Sequence, residues 1–469
     1  MYLGDTEVFR TSTAEPTAAG IVWSYIKDMS PYNALWNEPQ KLIFDLGNQI
    51  TDIYNGSFTA TLTATFSHSG NVKTADVIMP ISGQKSDSNS PSAFTVPSDN
   101  TTVQYKIPSS ASRAVVSISA CGQSTEEFWW SNVFSSDTKT FSGTLSGYSP
   151  FREVQLYIDG VLAGVAWPFP IIFTGGVTPV FWRPVVGIDA FDLRQPEIDI
   201  SPFLPLITDG QDHSFEIKVV GLDLSADGSA TLSKSVGSNW VVTGNIFIYL
   251  DGNDVSSSSR AIRDSSRVPV LDAAAPKISV SRNLNQNSAK KNESLSYSIL
   301  VERTLTIKSS DISWSQNLSY SNHNLLNQQG LDQVTHQSTS GVNTVTQNGQ
   351  SSHVSFEYPL TVITTTHSAA DESTIDAQMK RGLTIETTNV TGISTYTMSA
   401  GPSFLRNRQW GNAHYISKAD GNSTSFGDTT TTLECEAEGK PYSRNVRAVN
   451  GSIAHDIPGV PSQPSQAVL

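Results

Sequence analysis

The sequence is poor in charged residues and in long apolar runs. Only 16% of its 469 residues are charged, and acidic residues outnumber basic ones to give a net charge of −13. This shortage of basic residues argues against a nucleic-acid partner, because phosphate binding requires a basic surface. The longest apolar stretch, residues 161–176, contains two prolines and falls short of the roughly 20 residues that a membrane-spanning helix needs. We therefore expect neither nucleic-acid binding nor a membrane span.

Several catalytic signatures are also absent from the sequence. It contains no G-x-S-x-G nucleophile elbow, no H-E-x-x-H metal motif and no glycine-rich phosphate loop before a helix. The eight histidines are scattered without the spacing of metal ligands, so we predict no metal site and no cofactor. Proton transfer by carboxylates is the chemistry that remains.

Cysteine occurs only twice, and Cys121 and Cys435 could form one disulfide or remain two free thiols. N-x-Ser/Thr sequons are more frequent and favour the secretory pathway. They are Asn55, Asn100, Asn292, Asn317, Asn389, Asn422 and Asn450. No signal peptide is visible, and the opening MYLGDTEVFR is typical of the middle of a strand. We therefore expect an N-terminally truncated chain whose full-length form is secreted or resides in an acidic vacuolar lumen.

Alternation of apolar and polar residues, the period of a half-buried strand, is the dominant pattern. It occurs in residues 58–66, 114–120, 154–158, 215–219, 240–250, 299–307 and 360–365. YIDG at residues 157–160 predicts a hairpin turn. Helical periodicity is scarce, and residues 19–28 and 371–381 are the best candidates. The sequence thus predicts an all-β fold of tandem antiparallel β-sandwich or jelly-roll domains with few short helices.

Composition divides the chain further. We predict a first β-sandwich in residues 1–147 and a second in 148–253. A polar, serine-rich segment with three arginines predicts an exposed linker over residues 254–277. A β-rich C-terminal domain would follow in residues 278–457, and a Pro/Ser-rich disordered tail in 458–469.

Tryptophan beside charged and turn residues is the most informative local pattern. Residues 126–132 read EEFWWSN, residues 167–170 read WPFP and residues 182–184 read WRP. Indole rings stack on sugar rings and carboxylates transfer protons, which points to a carbohydrate-processing site. A tryptophan-rich sandwich core would produce the same pattern.

Longer motifs resemble a known family. LGDTEVFRTSTAEP (residues 3–16), WSYIKDM (23–29), EEFWWSN and NWVVTGNIFIYL (239–250) occur together with FREVQLYIDGVLAGVAWPFPIIFTGGVTPVFWRPVVGIDAFDLR (151–194). In this order they resemble the secreted peptide N-glycanase family of the asparagine amidase A type, most clearly in residues 1–250. The resemblance implies hydrolysis of the amide that joins an N-linked glycan to asparagine, which releases the intact glycan and leaves aspartate. N-glycosylated peptides or proteins would be the substrates.

This reaction requires a group that activates water, a donor for the developing oxyanion and a sugar-binding surface. Glu127 is our first candidate for the base, since an extended 126–130 segment would place it on one face with Trp129. The other catalytic candidates are Asp189, Asp192 and Arg183, although Asp192 and Arg194 could instead form a structural ion pair. The substrate-binding candidates are Arg10, Glu15, Glu126, Trp129, Trp130, Trp167 and Trp182. Trp23, Trp36 and Trp240 are assigned to the core.

Two other functions fit the same residues. A carbohydrate-binding sandwich without catalysis needs only the aromatic surfaces. A glycoside hydrolase also uses two carboxylates near aromatic rings, but at defined separations.

Overall fold

The all-β prediction is confirmed. The computed structural model describes residues 1–16, 19–47, 51, 56–67, 73–237, 239–251, 268–309, 312–389, 403–437 and 440–459. These residues form 25 strands and one short α-helix, α1 (Leu204–Ile207). The remaining helical segments are 3-10 turns at Ser30–Asn37, Ser86–Ser88, Ser124–Glu126, Trp129–Ser131, Ser135–Asp137, Pro179–Trp182, Ser201–Phe203 and Gln328–Gly330. No helix in this described part is long and apolar enough to cross a membrane.

The N-terminal residues form a small three-stranded sheet. Its strands are β1 (Tyr2–Leu3), β2 (Thr6–Glu7) and β3 (Leu42–Ile43), with β1 in the centre. Leu3 and Val8 pack with Phe247 and Tyr249 of the next layer. The opening residues are thus a tight hairpin rather than one continuous strand.

A β-sandwich follows. Its strands are β4 (Val77–Ile81), β5 (Phe94–Val96), β6 (Thr102–Tyr105), β7 (Ala111–Gly122), β8 (Glu153–Ile158), β9 (Val161–Ala166), β10 (Glu197–Asp199), β11 (His213–Val220), β12 (Leu222–Leu224), β13 (Ala230–Leu232) and β14 (Trp240–Leu250). One sheet has the order β10-β7-β14-β4, with β5 also paired to β14, and the other has the order β6-β11-β8-β9. The sheets approach closely, since a Cβ at Gly244 would lie 3.0 Å from Cδ1 of Ile217. Strands β12 and β13 form a separate hairpin.

The predicted boundary near residue 147 is wrong. Strand β6 pairs with β11, and β7 pairs with β14 along almost its whole length. Strands from both sides of residue 147 therefore share both sheets and enclose one core.

The C-terminal residues form a long antiparallel meander. Its strands are β15 (Val270–Ala273), β16 (Lys277–Gln286), β17 (Asn292–Ser309), β18 (Ile312–Asn327), β19 (Asp332–Gln347), β20 (Gln350–Ser368), β21 (Glu372–Thr388), β22 (Phe404–Lys418), β23 (Ser423–Ala437), β24 (Lys440–Val449) and β25 (Ser452–Gly459). From β17 to β25 each strand pairs with the next, and β15 and β16 both pair with β17. Buried and exposed residues alternate along β17 and β18, so one face packs inward.

The meander packs on the second sandwich sheet. Arg303 Nη1 on β17 donates to Glu153 Oε1 on β8 at 3.0 Å. Gln316 on β18 exchanges hydrogen bonds with both backbone groups of Val165 on β9, at 2.9 and 2.8 Å. Apolar residues of both regions belong to one core cluster. The C-terminal region therefore does not stand apart from the sandwich.

Other local predictions had mixed outcomes. Six of the alternating runs lie in strands, and the YIDG turn is confirmed by positive φ at Asp159 and Gly160. Residues 58–66 and 19–28 form neither the predicted strand nor the predicted helix. Residues 371–381 fall largely in β21, where Ala377, Met379 and Arg381 are buried at a two-residue period. Both cysteines are free thiols.

Part of the predicted linker is also β-strand, since residues 270–273 form β15 and β16 begins at Lys277. Residues 252–267 of this linker, and residues 460–469 of the predicted tail, lie outside the described residues.

Candidate functional site

A cavity of about 320 Å³ opens where four loops and strand ends of the first 200 residues meet. We call it the polar cavity because polar side chains dominate one of its walls. Its lining residues are Arg10, Thr11, Ser12, Thr13, Cys121, Gln123, Ile171, Phe173, Thr174, Asp189, Ala190 and Leu193. Two backbone hydrogen bonds join the walls, from Ser12 N to Ala190 O at 2.6 Å and from Leu193 N to Arg10 O at 2.9 Å. The cavity therefore gathers segments that are about 180 residues apart in sequence.

Arg10 is held rigidly in the cavity wall. Its Nε and Nη2 donate to the two oxygens of Glu7, both at 2.6 Å, and its Nη1 donates to Val241 O at 2.7 Å. Burial opposes ionisation of Glu7, but Arg10 and a hydrogen bond from Thr243 hold the pKa of this carboxyl below its usual range. The guanidinium thus remains charged and oriented at the cavity.

Asp189 also lines the cavity, from a strained backbone conformation. Its φ is 61°, a left-handed value that is uncommon outside glycine and often occurs at functional sites. The residue is only 6% exposed. Its negative charge acts on the buried guanidinium of Arg381, although burial outweighs this effect and lowers the pKa of Arg381 to about 9.

Glu127 lies beside the same cavity. It follows the 3-10 turn Ser124–Glu126 and is half-buried, and burial raises the pKa of its carboxyl. Its charge acts on the cavity-lining thiol of Cys121. The next residue, Phe128, packs against the cavity-lining ring of Phe173 at a centroid distance of 5.9 Å. A carboxyl with a raised pKa at this position is suited to proton transfer.

Glu15 and Arg183 form an ion pair next to the cavity. Arg183 Nη2 donates to Glu15 Oε1 at 2.9 Å, and the side chain of Arg183 is about one-third exposed. Glu15 Oε2 would lie 3.3 Å from a Cβ at Gly175, which follows the lining residue Thr174. Arg10 lines the cavity itself, whereas Glu15 and Arg183 are not among its lining residues.

Glu126 does not reach the cavity, which corrects its assignment to substrate binding. It is 1% exposed and binds Arg152 through both oxygens, at 2.5 and 2.8 Å. It also accepts a hydrogen bond from Trp240 Nε1 at 2.7 Å. Residues 126–130 run from the end of the 3-10 turn Ser124–Glu126 into the turn Trp129–Ser131 and form no strand, so the extended segment that was predicted to place Glu127 and Trp129 on one face is absent.

The four tryptophans predicted as sugar platforms are all core residues. Trp129, Trp130, Trp167 and Trp182 are at most 4% exposed. Trp167 Nε1 donates to the buried Glu153 at 2.9 Å, and Trp182 Nε1 donates to Gly176 O at 2.7 Å. Rings enclosed in this way cannot stack on a substrate.

Asp192 is likewise buried, which corrects its assignment as a catalytic residue. It is 2% exposed and accepts hydrogen bonds from Lys27 Nζ at 2.7 and 2.9 Å and from Tyr25 at 3.2 Å. Asp192 thus forms a structural ion pair with Lys27, which the sequence analysis did not name as its partner.

Comparison with known proteins identifies the family of the chain. A family model described as peptide N-acetyl-beta-D-glucosaminyl asparaginase amidase A matches residues 1–267, which contain every lining residue of the cavity. The chain belongs to this family. The family's C-terminal domain model matches residues 296–360.

A curated relative from Prunus dulcis, peptide-N4-(N-acetyl-beta-glucosaminyl)asparagine amidase A, is 34% identical over 286 residues. The match covers 57% of this chain and 47% of the relative, so it spans about half of the relative's length. No solved structure matches the chain.

Sequence reasoning missed several residues of the polar cavity, above all Cys121, Gln123, Phe173 and Thr174. It also misplaced two aromatic residues assigned to the core. Trp36 is 41% exposed, and Trp23 is half-buried beside Phe191, whereas Trp240 is indeed buried. Trp23 lies in WSYIKDM, one of the motifs of the family resemblance. This position was the sequence signal that could have distinguished Trp23 from a core residue.

Proposed function

We propose that this chain hydrolyses the amide between an N-linked glycan and asparagine in glycopeptides or glycoproteins. The observation that carries the proposal is the polar cavity, in which Arg10, a run of hydroxyl groups and Asp189 line one space beside Glu127. The name of the curated relative and the family description support the same reaction.

The chemistry requires two proton transfers. Water adds to the side-chain carbonyl carbon of asparagine and loses a proton to a base. The carbon–nitrogen bond then breaks as the nitrogen gains a proton, which leaves aspartate and a glycosylamine. Water subsequently displaces ammonia from the glycosylamine.

The two carboxylates of the site suit these opposite roles. Asp189 lines the cavity and interacts with the positive charge of Arg381, so we assign Asp189 as the group that accepts the proton of water. Glu127 has a raised pKa and thus retains a proton to higher pH, so we assign it as the donor to the departing nitrogen. This reverses the order of our sequence-based candidates, which placed Glu127 first as the base.

The developing oxyanion needs a fixed donor. Arg10 supplies a positive charge that its contacts with Glu7 and Val241 hold in place before substrate arrives. Arg183 is more exposed and is paired with Glu15, so we assign the Glu15–Arg183 pair to orientation of the peptide or the first sugar.

Product analysis tests the reaction class. A denatured glycoprotein digested in heavy-oxygen water should yield intact glycans and peptides with one labelled oxygen in a new aspartate. A glycoside hydrolase would leave a sugar on unlabelled asparagine, and a carbohydrate-binding protein would leave the glycopeptide unchanged. Either of these products would overturn the proposal.

We also propose that the protein enters the secretory pathway. The sequons at Asn100, Asn317, Asn389, Asn422 and Asn450 lie on exposed residues, as acceptor sites must. Expression with a secretory leader in a eukaryotic host should give glycans at several of them. Mass analysis that finds all five unmodified would contradict this assignment.

A further inference from the structure

Four aromatic side chains form a continuous strip that leads away from the polar cavity. We call it the aromatic strip, and its members are Phe9, Trp23, Tyr25 and Phe191. Phe9 and Tyr25 are stacked with ring centroids 5.6 Å apart. Phe191 contacts Tyr25 at 6.5 Å and Trp23 at 6.3 Å.

The strip adjoins the cavity through the backbone. Phe9 precedes Arg10, and Phe191 follows Ala190, and both of these neighbours line the cavity. Tyr25 is 37% exposed, and the other three rings are half-buried, so each ring is in part accessible. This differs from the enclosed tryptophans at positions 129, 130, 167 and 182.

A buried ion pair between Lys27 and Asp192 holds the strip in place. Lys27 Nζ donates to both oxygens of Asp192, and the Tyr25 hydroxyl donates to Asp192 Oδ2. Lys27 also lies 5.9 Å from the ring centroid of Phe9. Side chains held in this way lose little conformational entropy when a ligand binds, which is what a preformed binding surface requires.

The size of the cavity indicates what the strip binds. A space of about 320 Å³ is at the small end of ligand pockets, so it has room for the linkage and little more of a branched glycan. The sugars beyond the linkage must therefore lie outside it. Sugar rings present apolar C–H faces that pack on aromatic rings, and their hydroxyl groups remain in water.

We propose that the aromatic strip is the binding subsite for the inner N-acetylglucosamine residues of the glycan, with Trp23 and Phe191 as stacking surfaces. This inference rests on the proposed amidase function, because that function places the linkage in the cavity. The alternative occupant of the strip is the peptide part of the substrate.

A binding experiment separates these two occupants. The probe is a β-linked N-acetylglucosamine disaccharide, titrated into the full chain by calorimetry or saturation-transfer NMR. The Trp23→Leu variant keeps an apolar side chain but removes the aromatic face, and we expect its Kd to rise roughly tenfold, as the loss of one stacking contact implies. Trp23→Phe should recover most of this affinity. Trp36→Leu is the matched control, since Trp36 is an exposed tryptophan outside the strip.

Kinetics provide the second readout. With a glycopeptide that carries an extended glycan, Trp23→Leu should raise KM about tenfold and leave kcat nearly unchanged. With a peptide that carries a single N-acetylglucosamine, which occupies less of the strip, the increase in KM should be smaller. Unchanged disaccharide affinity in a folded Trp23→Leu variant, or a loss of affinity for unglycosylated peptide instead, would overturn the subsite.

The two proposals fail separately. A wild-type chain that binds the disaccharide through Trp23 but cleaves no glycopeptide would refute the amidase function and retain the sugar-binding strip. A chain that cleaves glycopeptides with no dependence on Trp23 would refute only the strip.

Discussion

Arg381 Nη2 donates a hydrogen bond to the carbonyl oxygen of Pro170 at 3.1 Å, and this bond joins the C-terminal meander to the cavity wall. The same guanidinium lies 4.9 Å from the ring centroid of Phe169 and is electrostatically coupled to Asp189. Tyr358 supports this wall as well, through an edge contact with Phe169 at 5.2 Å. The meander therefore supports the candidate catalytic residues from behind.

Replacing Arg381 with methionine should damage both stability and activity. The variant leaves the Pro170 carbonyl without this donor and Asp189 without the nearby cation, at a cost of about 2 kcal/mol in the free energy of unfolding. The pH profile of kcat/KM should also shift, because Asp189 loses its interaction with the positive charge of Arg381. Arg381→Lys should restore part of this shift. A folded Arg381→Met variant with an unchanged pH profile would contradict the coupling.

Glu127→Gln should lower kcat ~100- to 10,000-fold without loss of stability, since it deletes a proton-transfer group from a half-buried position. The adjacent Glu126→Gln is the matched control with the opposite signature. It breaks the buried pair with Arg152 and should cost about 3–5 kcal/mol of folding stability. Single-turnover assays and thermal melts distinguish the two variants. Near-normal kcat in Glu127→Gln would leave Asp189 as the only carboxylate of the proposed mechanism.

The difference in stability between Glu127→Gln and the wild type should depend on pH with a definite sign. Burial raises the pKa of Glu127 in the folded state above its unfolded value. Its contribution to stability is therefore complete below the unfolded pKa and is lost as pH rises through the folded pKa. The melting temperature of Glu127→Gln relative to wild type should accordingly increase across this window. Equal pH dependence of the two melting curves would show that the carboxyl is not desolvated.

Activity should be insensitive to chelators, because the proposed mechanism uses only carboxylates, Arg10 and water. Glycan release measured before and after prolonged dialysis against a strong chelator should be the same. Loss of activity that added zinc restores would require a metal in the mechanism.

The strands were predictable from the sequence and the site mostly was not, for a physical reason. Residues 240–250 were predicted as a strand from their local pattern, and β14 has these same bounds, although it is buried on both faces and not on one. A tryptophan beside a charge in sequence carries no comparable information. Trp240 and Trp167 find their carboxylate partners, Glu126 and Glu153, through tertiary packing and not through sequence proximity.

The cavity illustrates the same limit. Its walls are set by the contacts of Ser12 with Ala190 and of Leu193 with Arg10, which no local pattern specifies. Polar loops such as RTSTAEP could be recognised as site candidates by composition alone. Which of their side chains face the cavity depends on the register between two distant loops.

Limited proteolysis should cut first between residues 254 and 267, where the sequence offers Arg260, Arg263 and Arg267 in a serine-rich context. We expect the two fragments to remain associated, because Glu153 is shared between Arg303 of the meander and Trp167 of the sandwich in a buried network. Size-exclusion chromatography of the nicked protein should therefore give one peak that contains both fragments. Glu153→Gln should weaken this association, since Arg303 would keep a buried charge without its anionic partner. Fragments of the wild type that separate under native conditions would show that the meander and the sandwich fold as independent domains.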